Sequence, residues 1–198
     1  EGGRRRSCSL ANAPNGETLE LHVRITPSGR FAHWVLHEMP DKAILQFEGP
    51  LGAFYLREDS QRPILLIAGG TGYAPVQAML QDLLARGSQR PIHLFRGVRS
   101  HRDLYLETRI QAWLQQHPQL RYTPVLSEPD AGWKGERGFV HEALLRAHPD
   151  LRGHEVYVSG PPAMVRSAKD AFAQAGLDAD HLFYDSFDYA YETWPKLG

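Results

Sequence analysis

One short stretch constrains this chain more than any other. Residues 63–75 read Pro-Ile-Leu-Leu-Ile-Ala-Gly-Gly-Thr-Gly-Tyr-Ala-Pro. The apolar run 64–68 offers no polar side to water, which fits a parallel strand buried on both faces. Gly69, Gly70 and Gly72 follow at once, and glycine lets a backbone turn sharply while another group approaches it closely. Pro75 suits a first helical turn because its φ is already helical. Beyond it Val76, Met79, Leu80, Leu83 and Leu84 recur at i, i+3, i+4, i+7 and i+8, one face of a helix, and Gly87 marks its stop. Strand, glycine turn and helix together make an anion site, since the unpaired N–H groups of the helix start face whatever lies over the turn. The spacing is not the full G-x-G-x-x-G fingerprint, because Pro75 stands at the third glycine. The turn alone therefore leaves a phosphate-bearing ligand and a plain α/β turn both open.

From residue 61 onward strands and helices alternate, which implies βαβ units and a parallel sheet. Further strands are predicted at 91–95, 121–126, 155–159 and 181–184. Helices are predicted over 104–117, with Leu106, Ile110, Trp113 and Leu114 on one face, over 140–147, and through Met164, Val165, Ala168 and Phe172 to a stop at Gly176. Stretch 127–138, with one proline and three glycines, reads as a loop. Residues 1–60 have a different texture. Leu19, Leu21, Val23 and Ile25 alternate with polar neighbours, as do residues 44–48, so both stretches are predicted as half-buried strands. Pro27-Ser28-Gly29-Arg30 signals a turn, and the spacing in 31–39 predicts a short helix.

Composition excludes several classes. A net charge of −1 and a pI near 6.9 leave no electrostatic footprint for nucleic acid or an anionic membrane. No apolar run approaches the roughly 20 residues that cross a bilayer. The arginines near the start have no hydrophobic region behind them, so a signal peptide is not expected. The single cysteine, Cys8, cannot form an intrachain disulfide and suits a reducing compartment, by default the cytoplasm. His33 and His37 stand at i, i+4 without the glutamate of a zincin helix, so no metal site is expected. No Gly-x-Ser-x-Gly elbow points to a hydrolase.

The turn 69–75 resembles the Gly-Gly-Thr-Gly-x-x-Pro turn of the ferredoxin–NADP reductase superfamily, and three other stretches line up with that superfamily in order. Arg6-Ser7-Cys8-Ser9 resembles its flavin-binding Arg-x-Tyr-Ser motif. Glu48-Gly49-Pro50-Leu51-Gly52-Ala53-Phe54 resembles the strand-turn that closes its flavin barrel. Tyr157-Val158-Ser159-Gly160-Pro161-Pro162 resembles its Cys-Gly-Pro-Pro turn beside the nicotinamide. Within the superfamily the chain is most similar to flavin reductases and the reductase components of oxygenases, including the CDP-6-deoxy-glucoseen reductase type. Those proteins commonly carry a plant-type 2Fe–2S domain ahead of the barrel. This chain has no such cysteine cluster, so an iron–sulfur centre is expected only in a domain or partner outside it.

The resemblance implies an α/β protein: an NAD(P)-binding domain at 61–198 with a parallel sheet, preceded at 1–60 by an incomplete antiparallel β barrel binding FAD, or FMN. The chain begins almost on the flavin motif. Either a preceding segment completes the barrel or this half is poorly ordered and flavin-free, because unpaired strand edges and an apolar face would otherwise be exposed. Arg6 would place a guanidinium on the flavin pyrophosphate. Cys8 stands where the motif has tyrosine, and Ser9 would offer its hydroxyl to the flavin nitrogen that takes hydride. His22, Val23 and Arg24 would pass under the flavin. Gly29, Arg30 and Phe31 would meet its phosphate, with Ala32 where the family has serine or threonine. Gly70, Thr71, Gly72, Gly160 and Pro161 would hold the nicotinamide nucleotide across the carboxyl ends of the strands.

Ser9 and Ser159 are the expected catalytic hydroxyls, converging with Tyr184-Asp185-Ser186-Phe187, where Phe187 would shield the flavin ring. Read without the family, Arg6 is one of a basic run, Ser9 a strand serine and Ser159 a small residue at a tight turn. Arg99, in a loop with no acidic residue before Asp103, permits a 2′-phosphate, so both NADH and NADPH are expected. The expected function is an electron-transfer oxidoreductase passing hydride from NAD(P)H to a bound flavin and on to an iron–sulfur centre or other acceptor. The alternative is a non-catalytic nucleotide-binding module that has lost its flavin, which would unite the short barrel, Cys8 and Ala32.

Overall fold

A computed structural model describes residues 6–14, 17–25 and 30–187. Its strands are β1 (Ile64–Gly69), β2 (Ile92–Val98), β3 (Leu120–Leu126), β4 (Glu136–Arg137), β5 (Glu155–Gly160) and β6 (Leu182–Ser186). Its helices are α1 (Arg30–His37), α2 (Tyr73–Ala85), α3 (Glu107–Gln116), α4 (Val140–Ala147) and α5 (Pro162–Gln174). The six strands form one parallel sheet in the order β4-β3-β2-β1-β5-β6.

The apolar run of β1 is explained by its central place. Alternate side chains of a strand point to opposite faces, so Ile64 and Leu66 pack with Val76, Leu80 and Leu83 of α2, while Leu65 and Ile67 pack with Val165, Ala168 and Phe172 of α5. Helices on both faces leave no strand side for water. Each fully buried aliphatic side chain here contributes about 1.5–3 kcal/mol. From β1 the chain crosses through α2 to β2 on one side, and later returns through α4 to β5 on the other. The two crossovers diverge at the β1–β5 pair, and a crevice opens at the carboxyl ends of those strands.

At the opposite, amino edge, Arg90 and Glu155 form a buried ion pair with Nη2 to Oε2 of 2.5 Å. Arg90 also donates to the carbonyls of Arg62 (2.7 Å) and Arg57 (3.2 Å), while the Tyr157 hydroxyl accepts from the Arg57 N–H at 2.9 Å and donates to Glu155 at 3.2 Å. The stretch that leads into β1 is thereby stitched to the sheet.

Three differences from the sequence reading have physical causes. The helix expected from residue 104 starts at Glu107, because Leu106 adopts a left-handed conformation (φ 59°) and a 3-10 turn, His101–Asp103, precedes it. The expected loop 127–138 contains β4, whose two residues pair with Val125 and Leu126; two residues are too few for any periodicity to register. The alternating stretches 19–25 and 44–48 form no regular ladder among the described residues, where the pairing is a single antiparallel bridge between Leu10 and Leu21. Period-2 alternation reports a face meant for burial, not a partner strand. Leu19 is 57% exposed, Ile25 63% and Ile44 99%. Among the described residues no helix is long and apolar enough to cross a membrane.

Candidate functional site

The crevice is built by backbone in contact with backbone. A Cβ on Gly72 would lie 2.2 Å from the Ser159 carbonyl oxygen, and one on Gly160 would lie 3.0 Å from the Gly69 Cα. Glycine at these positions is thus what lets the carboxyl ends of β1 and β5 meet. A 3-10 turn, Gly70–Gly72, leads directly into α2, and no side chain caps that helix start. The Tyr73 N–H is directed to the Gly70 and Thr71 carbonyls and Pro75 has none, so it is the helix dipole and the turn's remaining backbone N–H groups that favour a phosphate or other anion here. Thr71 lies half-buried within this turn, and Nη1 of Arg24 reaches to 3.5 Å from the Cβ position of Gly70.

On the β5 side the N-terminal stretch arrives. Ser159 is buried, and its Oγ has no hydrogen-bond partner among the described residues. Its register neighbour on β6 is Asp185, whose Oδ2 accepts a hydrogen bond from Ser9 Oγ at 3.3 Å. Burial pushes the Asp185 carboxyl up, partly offset by the Ser9 hydroxyl. The Phe187 N–H donates to the Gly160 carbonyl at 3.3 Å. Ser9, Ser159 and the 184–187 segment, far apart in sequence, thus share one corner of the crevice. Arg6 and Cys8 lead into it, both exposed, and Pro161 lies exposed on its rim.

Other expected residues are spread more widely. Val23 is exposed on the same segment as Arg24, and Arg30 and Phe31 open α1, where Phe31 lies 6.3 Å from the Trp34 ring. Gly29 lies outside the described residues. Arg99 is exposed just beyond β2, in a loop held by the Glu128 N–H donating to its carbonyl at 2.8 Å.

His22 precedes Val23 and Arg24 on that segment and is half-buried. Its imidazole is held between the Tyr105 hydroxyl (2.7 Å) and Glu20 Oε1 (3.1 Å). Glu20 also accepts from Gln77 Nε2 at 3.0 Å and Arg109 Nη1 at 3.0 Å. Burial pushes the Glu20 carboxyl up, but these three donors outweigh it and hold it below its usual range. Burial likewise pushes the His22 imidazole down, and Glu20 only partly restores it. Gln77 further donates to the Ala11 carbonyl at 2.7 Å, and Gln81 accepts from the Ala13 N–H at 3.0 Å.

Behind this clamp lies Arg96 of β2, 1% exposed, donating to the Tyr105 carbonyl (2.7 Å) and Glu107 (3.1 Å) and resting on the Tyr73 ring at 4.0 Å. Sequence reasoning passed over this network. One signal was available: an arginine inside the apolar run of β2 must be paired if the strand is central.

Among the described residues no group of three or more histidines, cysteines or carboxylates is arranged to hold a metal ion. His33, half of the i, i+4 pair, contacts Glu38 at 3.2 Å.

The chain is similar to several known proteins. The CDP-6-deoxy-L-threo-D-glycero-4-hexulose-3-dehydrase reductase of Yersinia pestis is 40% identical over 186 residues, covering 93% of this chain and 56% of that protein. The ferredoxin–NAD(P)(+) reductase component of the naphthalene 1,2-dioxygenase/salicylate 5-hydroxylase systems of Ralstonia sp is 35% identical, covering 92% and 56%. Among solved structures, the Amycolatopsis cytochrome P450 reductase GcoB superposes with a TM-score of 0.81 at 34% identity, covering 93% of this chain and 57% of that one. The chain therefore spans about half the length of the curated relatives it matches. The family described as the oxidoreductase NAD-binding domain matches residues 66–170, from β1 through both glycine turns into α5 and more than half of the sequence, and the chain belongs to that family.

Proposed function

We propose that this chain is the flavin- and nicotinamide-handling part of an electron-transfer oxidoreductase. It takes hydride from NAD(P)H onto FAD, and electrons leave for an iron–sulfur centre or another acceptor outside the chain. One observation carries the reading: the segment bearing the flavin motif docks by Ser9 onto Asp185, beside Ser159 at the mouth of the glycine crevice. The relatives named above are reductases, one of them a ferredoxin–NAD(P)(+) reductase component.

The residues present fit both groups. The glycine cradle has no room for a Cβ at Gly72, and the buried Ser159 hydroxyl has a free hydrogen-bonding capacity turned to no protein partner among the described residues. Gly70, Thr71, Gly72, Gly160 and Pro161 hold the nicotinamide nucleotide, with Arg99 placed for its adenosine end. Arg6, Cys8, Ser9, Val23, Arg24, Arg30, Phe31 and Phe187 hold the flavin, with Gly29 in the same set. His22 belongs with them, its imidazole also fixing the segment that carries them. When bound, the flavin accepts two electrons as hydride and releases them singly. The protein contributes alignment: the Ser9 and Ser159 hydroxyls orient the two rings, and Phe187 keeps water from them. The flavin part is 1–60 and the nucleotide part 61–198. An exposed free thiol at Cys8 suits a reducing cytoplasm.

The rival reading, a nucleotide-binding module without flavin, is favoured by the missing ladder in 19–25 and 44–48. Reconstitution separates the two. The protein is incubated with FAD, desalted, and mixed anaerobically with NADH while the flavin absorption band is followed. A yellow protein bleached by NADH supports the reductase; a colourless protein that still binds NADH leaves the module.

A further inference from the structure

A cleft of about 320 Å³ opens at the amino edge of the sheet, on the side away from the glycine turns, between the starts of β1, β2 and β3. Pro63, Pro91 and Pro118 shape its walls, and its polar side chains are Gln119, His93, Arg121, His148 and His154, with no carboxylate among its lining residues. The proposed reductase chemistry leaves this edge without a task, yet three imidazoles and a guanidinium are gathered there.

The local hydrogen bonds show which of these groups are already committed. His93 is saturated: Nδ1 pairs with His148 Nε2 at 2.9 Å and Nε2 with Thr123 Oγ1 at 2.9 Å. Gln119 donates its amide to the Ser88 carbonyl at 2.8 Å. His148 faces His154 with ring centroids 5.5 Å apart, and Nδ1 of His154 is buried with no partner among the described residues. Two carboxylates stand near the lining residues: Asp150, bonded to Arg152 at 2.9 and 2.6 Å and electrostatically coupled to His154, and Glu155, paired with Arg90.

We propose that this cleft is a second binding site, for an oxyanion (the phosphate or carboxylate group of a small metabolite) held by Arg121, His148 and His154. A guanidinium and an imidazole are the donors that recognise such a group with charge-assisted hydrogen bonds. Burial first, then neighbouring His148 and Arg121, push His93 down to about 4, and burial, His154 and Arg121 push His148 down, so these two imidazoles resist a proton without a ligand. An anion offsets the repulsion among these groups, so its binding draws a proton onto His148. Affinity then rises as pH falls, by up to about tenfold per pH unit for one proton taken up. The site does not depend on the nucleotide reading, because it lies at the other edge of the sheet.

Sulfate, a dianion throughout the pH range used, is the probe, with acetate as the carboxylate arm and sodium chloride holding ionic strength constant. The ring nitrogens of the histidines are followed by long-range nitrogen–proton correlation on the full chain. The expected result is a saturable, millimolar shift of His148 and His154. It should be stronger at low pH, unaltered by saturating NADH, and weakened about tenfold or more in Arg121→Gln, a change at an exposed side chain. His154→Gln should weaken it likewise. A preference for sulfate over acetate assigns a phosphate-bearing ligand, and the reverse assigns a carboxylate. The proposal is overturned by shifts that track ionic strength alone, by displacement with NADH, or by equal binding to the Arg121→Gln protein.

Discussion

Arg90→Met tests how the stretch leading into the sheet is held. The substitution keeps the apolar stem but removes the guanidinium from Glu155, which is 1% exposed, and from the carbonyls of Arg57 and Arg62. Removing one partner of a buried ion pair costs about 3–5 kcal/mol, because the remaining charge stays desolvated. The Tyr157 hydroxyl still donates to Glu155 and keeps the loss towards the lower end. At about 2–4 °C per kcal/mol for a chain of this size, the melting temperature should fall by about 6–20 °C. Thermal and urea unfolding followed by circular dichroism read this directly. The double variant Arg90→Met/Glu155→Met removes both charges and should recover much of the loss, since a well-packed apolar pair often matches a buried ionic one. An Arg90→Met protein within about 1 kcal/mol of the parent, or a double variant no better than the single, would refute the reasoning.

Gly72→Ala should reduce NADH affinity at least tenfold in a fluorescence titration while leaving a folded chain, because its Cβ would meet the Ser159 carbonyl at 2.2 Å and force β1 and β5 apart. Ser9→Ala should slow flavin reduction on the order of tenfold in stopped flow with nucleotide binding nearly unchanged; an unaltered rate removes Ser9 from the site. Arg99→Ala should weaken NADPH more than NADH, and equal losses would show that Arg99 does not read the 2′-phosphate. Stability should decline as pH falls from about 6.5 towards 4: the folded His93 resists a proton that the unfolded chain accepts, so the folded state loses ground throughout that window. His93→Gln should flatten the decline in melting temperature between those limits, and an unchanged slope would exclude His93 as its source.

The parallel sheet was legible because β1 and β5 are buried on both faces, and a continuous apolar run ended by glycine fits little besides a central parallel strand. The crevice was legible through its glycines: Gly72 and Gly160 mark close backbone contacts, while a Cβ on Gly69 would meet the side chains of Met164 and Pro161. The approach of Ser9 to segment 184–187 was expected from family resemblance, but its form, a hydrogen bond to Asp185 across 176 positions, was not, since no local pattern links a strand serine to that carboxylate. The Glu20–His22–Gln77–Arg109 clamp was missed because each member reads locally as ordinary. Glu20 and His22 look like the solvated side of a strand, and Gln77 looks like a polar position on α2. Burial of such groups is decided by what packs against them, and that information is tertiary.

The placement of that clamp has a mechanical consequence. α2 starts at the glycine turn and carries Gln77 and Gln81 about 6 and 12 Å further along its axis, where they grip the backbone at Ala11 and Ala13. One rigid rod therefore gauges the distance between the nucleotide cradle and the arm that ends in Ser9, independently of the covalent route through residues 57–62. Residues inserted into that route would lengthen a tether that sets no spacing. A single residue inserted between Pro75 and Gln77 would swing both glutamines by about 100° around the helix and uncouple the two halves.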